Sequence, residues 1–113
     1  MLKINWHDLK DNIVLVIFEG NLDFDTELYF KKMMENILKE GKYNLIFDFS
    51  KVEYANSYGF NVLNETKEKI HQNKGSLKLI NVQSNVLMLL QLVGLAQKYD
   101  FYNSIEEALE SKN

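Results

Sequence analysis

Two polar runs hold the side chains best placed to do chemistry: Gly20-Asn21-Leu22-Asp23 with Asp25 close behind, and the stretch from Asp48-Phe49-Ser50 to Asn56-Ser57-Tyr58-Gly59. The second run ends in small polar residues ahead of an apolar periodic segment. A helix starts there, and its free backbone N–H groups would suit an anion. The same residues also have a plain structural use, with Asn56 or Ser57 as an N-cap and Gly59 allowing close packing. Asp23, Asp25 and Asp48 offer a different chemistry. Three carboxylates converging at strand ends would hold a divalent cation and let Asp48 accept a phosphoryl group.

Other reactive groups are scarce. Cys is absent, which excludes disulfides, zinc knuckles and thiol nucleophiles at once and suits a reducing cytoplasm. His7 and His71 fall on different elements without an acidic or Cys partner at ligand spacing, so both read as surface residues. Ser50 and Ser57 lack a histidine base, and there is no Gly-rich phosphate loop. The expectation is therefore a non-enzymatic protein with no catalytic residues, metal or cofactor. The formal charge of -3 is spread without a basic stripe, so nucleic acid is not an expected partner. The first residues lack the order of a signal peptide. The longest apolar stretch, residues 86–95, is too short to span a bilayer.

The elements that must position these residues follow from periodicity. A chain of 113 residues with 46% hydrophobic composition fits one domain, residues 1–113. Residues 2–6 alternate as a half-buried strand, Lys10-Asp11-Asn12 is turn-like, and residues 13–18 form an apolar strand, which together make a β-hairpin. Phe30, Met33, Met34, Ile37 and Leu38 give a helical stripe ending at Gly41, with Asp23, Asp25 and Thr26 as caps. Residues 44–47 form a short strand, a loop leads to a helix over about 57–73, and residues 77–80 form another strand. Ser84 or Asn85 caps a helix through Val93, residues 99–102 add an edge strand, and Ser104-Ile105-Glu106-Glu107 has capping-box spacing before a last helix. The fold class is α/β, a mostly parallel sheet of four or five strands with an N-terminal hairpin and about four helices.

On the helical wheel of residues 57–73, Gly59, Val62, Leu63, Thr66 and Ile70 share the arc that meets the sheet. Tyr58 and Phe60 each fall about 100° from its centre, at the rim or outside it, where aromatics pack an edge or anchor a partner. Residues 86–93 are apolar over most of their circumference, which implies deep burial or else a partner or dimer patch.

The ordered motifs resemble the STAS domains, and within them the bacterial anti-sigma-factor antagonists, over nearly the whole chain. Asp48-Phe49-Ser50 and Asn56-Ser57-Tyr58-Gly59 stand where that family has Asp-hydrophobic-Ser and Asp-Ser-Ser-Gly. Gly20-Asn21-Leu22-Asp23 stands for its Gly-x-Leu-Asp, and Val86, Leu89, Gly94, Leu95, Ser104 and Glu106-Glu107-Ala108-Leu109 look like its closing helices. The resemblance implies transcription regulation by docking onto an anti-sigma factor that is itself a serine kinase. In the family the second Ser of Asp-Ser-Ser-Gly is phosphorylated, which blocks docking. Here Tyr58 occupies that position and Asn56 replaces the motif Asp, so the switch is altered or lost. Ser57 remains the phosphorylation candidate, and Asp23, Asn56, Ser57, Tyr58, Gly59 and Phe60 are the expected partner-binding residues. The alternatives are a STAS subunit of a larger lipid-transport or stress-signalling assembly, a homodimer, and a receiver-like domain using Asp48. Against the last, no acidic pair follows a single first strand and no lysine ends a late strand.

Overall fold

The computed structural model describes residues 1–111. A five-stranded sheet has the spatial order of the chain itself: β1 (Leu2–Asp8), β2 (Ile13–Leu22), β3 (Asn44–Ala55), β4 (Ser76–Ile80) and β5 (Asp100–Tyr102). β1 and β2 are antiparallel, and each later pair is parallel. The hairpin turn explains the first pairing. Asp11 and Asn12 both adopt the left-handed conformation that a tight hairpin turn needs and that Asx side chains tolerate, and Ile13 N donates to Lys10 O at 3.3 Å.

Because the sheet grows in one direction with crossovers of constant hand, the connecting helices fall on one face. These are α1 (Glu27–Lys39), α2 (Ser57–Gln72) and α3 (Ser84–Leu92). Between that face and the helices lies the main core, where Phe18 touches the rings of Phe30, Phe47 and Phe49 at 4.9–5.3 Å. Edge-on and tilted aromatic pairs of this kind add to the burial term. Tyr99, just before β5, is buried against α2; burial pushes its phenol up, and its hydroxyl donates to Asn64 Oδ1.

α3 corrects the expectation of deep burial. Only Val86 and Leu90 are fully buried, whereas Met88, Leu92 and Val93 stand open to solvent. Its start is also displaced from the expected cap: Gln83 occupies the N-cap position without a side-chain cap bond, and Asn85 turns its amide elsewhere.

The opposite sheet face has a smaller core of Leu15, Ile46, Ile80 and Ala108, closed by the last helix, α4 (Ile105–Glu110). Ser104 caps it as its spacing implies, accepting from Glu107 N at 3.0 Å, but the Glu107 carboxylate takes the N–H of Asn103 rather than that of Ser104. Lys78, a buried cation in β4, holds the far end. Its Nζ donates to Ala108 O at 2.6 Å and Ser111 O at 3.2 Å and lies 5.6 Å from the Tyr102 ring centre. A cation at the carbonyl end of a helix is the favourable placement. Lys78→Met keeps most of the stem volume but leaves those carbonyls without their donor. It is expected to lower stability by about 1–2 kcal/mol and to speed amide exchange selectively in residues 105–110. Uniform protection across the chain, measured by hydrogen exchange, would count against that role.

Candidate docking site

The carboxyl ends of β2 and β3 and the first turn of α2 meet at one end of the molecule, the place where parallel sheets present their functional loops. β3 is longer than expected. The polar stretch from Asp48 to Glu53 continues the strand, because β2 also continues and pairs with it through Leu22 and Ala55, with two register irregularities on the way. β4 ends at its pairing with Asp48, so the outer half of β3 loses its neighbour on that side. Amide side chains from the N-cap and first turn of α3 replace it: Gln83 Nε2 donates to Ser50 O at 2.8 Å, and Asn85 Nδ2 donates to Glu53 O.

Asn56, in extended conformation, is the N-cap of α2, and its Oδ1 accepts from Tyr58 N at 3.1 Å. Its own N–H donates to Leu22 O at 3.0 Å, which ties the helix start to the end of β2. Asp23 is likewise a cap. Its Oδ1 accepts from Thr26 N at 3.2 Å while Thr26 Oγ1 accepts from Asp23 N at 3.0 Å, a reciprocal box opening the short 3-10 turn Phe24–Thr26 that leads into α1.

Ser57 is exposed and Tyr58 is 43% exposed, so both reach solvent at the tip. Gly59 and Phe60 do not. Phe60 is 3% exposed and belongs to the main core, which corrects its placement at the rim and removes it from the contact surface. The physical reason is that α2 packs against α1 and the 3-10 turn as well as against three strands, so its buried arc is wider than one sheet contact would make it. Gly59 faces the end of β2 so closely that a Cβ there would lie 2.5 Å from Leu22 Cβ. It is a packing position, not a contact for a partner.

The aspartates stay apart. Asp23 caps the 3-10 turn, Asp25 is exposed, and Asp48 Oδ1 accepts from Ser50 N at 2.9 Å. Among the described residues no group of three or more His, Asp or Glu side chains could hold a metal ion, so the cation chemistry has no frame. His7 and His71 are both exposed.

The STAS domain family model matches residues 8–108. The chain belongs to the STAS domain family. A proposed anti-sigma factor antagonist of Thermotoga maritima shares this STAS fold with a TM-score of 0.88 at 23% identity, over 95% of this chain and 92% of its own. An anti-sigma factor antagonist from Mycobacterium paratuberculosis does so with a TM-score of 0.84 at 22% identity, over 96% and 92%. The phosphorylated form of the Bacillus cell fate determinant SpoIIAA follows at 0.72 and 16%, over 96% and 97%. No curated protein sequence matches significantly.

The STAS tip also carries residues that the motifs do not mark. Phe24 is 66% exposed and sets its ring edge-on to Tyr58, with centroids 5.1 Å apart; Tyr54 and Leu28 are exposed at the same end. The one signal in the sequence is Asp23-Phe24-Asp25, an aromatic between two carboxylates where a buried residue is out of place. No helix among the described residues of this STAS domain is long and apolar enough to cross a membrane.

Proposed function

We propose that this STAS domain acts as an anti-sigma-factor antagonist in the bacterial cytoplasm, docking the tip formed by Asp23, Asn56, Ser57 and Tyr58 onto an anti-sigma factor of the serine-kinase type. The observation that supports this most directly is the free first turn of α2, where Ser57 and Tyr58 are open to solvent at the end of the sheet. A phosphoryl group on Ser57 would add about -1.5 to -2 charges to a tip that already carries Asp23 and Asp25, and like-charge repulsion with desolvation would oppose docking. With a phenol at the family's phosphoacceptor position, the switch either moves to Ser57 or is lost.

The test combines the purified domain, a serine-kinase-type anti-sigma factor of the same organism, and ATP, followed by mass spectrometry and a binding measurement. Ser57→Asp is expected to weaken binding about tenfold or more, by analogy with truncating a central contact, whereas Ser57→Ala leaves it near wild type. Phosphate on Ser57 would show that the switch is retained one residue early. Equal binding by Ser57→Asp and wild type would remove the tip from the interface.

A second reading rests on the open apolar side of α3, with Met88 at 53% and Leu92 at 75% exposure. It makes the chain a STAS subunit of a larger lipid-transport or stress-signalling assembly, or a homodimer. Co-purification with transporter subunits, or a dimer mass in solution, would favour it over the first.

A further inference from the structure

The tip contains more apolar surface and more negative charge than a hydroxyl switch needs. Phe24, Leu28 and Tyr58 are 66%, 73% and 43% exposed. Leu28 follows Phe24 by four residues and lines the groove between α1 and α2 together with Asn61 and Val62, one turn beyond Tyr58. The three side chains thus run from the 3-10 turn across the mouth of that groove to the start of α2. The edge-on contact between Phe24 and Tyr58 holds both rings in place before any partner arrives. Such preorganisation lowers the ordering cost of binding, and Tyr is among the residue types enriched at the energetic hot spots of protein interfaces.

The surrounding charge says what kind of surface fits. Residues 2–3, 19–29 and 50–61, which share this end, hold five carboxylates, Glu19, Asp23, Asp25, Glu27 and Glu53, against two cations, Lys3 and Lys51. The side chains of this end therefore carry a formal -3, as much as the whole chain's total of -3. A second copy presenting the same end would repel it, and so would an anionic lipid surface or a nucleic acid.

We propose that Phe24, Leu28 and Tyr58 form one apolar anchor patch, and that the partner protein receives it in an apolar pocket rimmed by lysine and arginine. This rests on the docking reading above and names the chemistry of that contact. The rim charges steer the encounter, and the aromatic anchors hold the complex.

The test uses the purified serine-kinase-type anti-sigma factor of the same organism, immobilised, with the full-length domain as analyte at low and high salt. Phe24→Ala and Leu28→Ala are each expected to weaken binding about tenfold, chiefly through faster dissociation. Both positions are exposed, so thermal unfolding should stay at the wild-type midpoint. The pair Asp25→Asn with Glu53→Gln is expected to slow association and flatten its salt dependence. Gln72→Ala, exposed at the far end of α2, serves as a control expected to bind as wild type. If Ser57→Asp loses binding while Phe24→Ala and Leu28→Ala keep it, the anchor patch is wrong and the docking reading stands. Binding insensitive to salt overturns the cationic rim. A wild-type domain that does not bind at all removes the docking reading itself, and the patch with it.

Discussion

Phe60→Ala is expected to cost about 3–5 kcal/mol of folding stability, the range for emptying a buried aromatic site, whereas Tyr58→Ala, two residues earlier, should cost less than about 1 kcal/mol. The two rings differ in place rather than chemistry: Phe60 is 3% exposed inside the main core and Tyr58 is 43% exposed at the tip. Urea denaturation followed by circular dichroism measures both. A lowered midpoint with unchanged slope for Phe60→Ala would match a core cavity. The inverse ranking, with Tyr58 the costlier position, would place the tip inside the fold and end the docking proposal. The contrast has a practical use as well. A loss of partner binding in Tyr58→Ala can be read as loss of contact, while the same loss in Phe60→Ala reports a destabilised core.

The pair also shows where periodicity succeeds and where it runs out. A wheel assumes one buried face, and that assumption placed Gly59, Val62, Leu63, Thr66 and Ile70 inward, where the structure has them. It misplaced Phe60 because a helix wedged between a sheet and a neighbouring helix buries a second flank, and which flank depends on a contact distant in sequence. The length of β3 was hidden for a related reason. Lys51 and Glu53 read as loop, yet they are exposed positions of a strand whose core-facing residues are Val52 and Ala55. The extension exists because β2 extends beside it, and strand pairing is not a local property. Local chemistry was more legible. Asn56 and Ser104 cap the helices that their types and positions announced, and Lys10-Asp11-Asn12 turns where an Asx pair can take positive φ. Gln83 and Asn85 lie at the opposite limit. Their amides satisfy carbonyls of β3 more than thirty residues back, and no local rule picks them from other polar side chains. Phe24 belongs with them, since its pairing with Tyr58 appears only once α2 is laid beside the end of β2.

Gly59→Val is expected to destabilise the domain by about 3 kcal/mol, at the upper end of the overpacking range, and Gly59→Ala by about 1–3 kcal/mol. The direction is the informative part. At an open helical position, replacing glycine by alanine gains up to about 1 kcal/mol from propensity, so a loss requires an obstacle. The obstacle is the end of β2: a Cβ on Gly59 would stand 2.5 Å from Leu22 Cβ and 2.6 Å from Leu22 O. Leu22 is fully buried and cannot give way, and its carbonyl already accepts the N–H of Asn56. Relief must come from the first turn of α2, which lifts away, lengthens that bond and moves Ser57 and Tyr58 relative to Phe24. Thermal unfolding gives the stability change. Under conditions where the variant stays folded, amide chemical shifts at Asn56, Ser57 and Tyr58 should move more than those of α4, on the far face. A Gly59→Ala variant more stable than wild type would mean that α2 does not approach β2 this closely, and the geometry that presents Ser57 and Tyr58 would need to be redrawn.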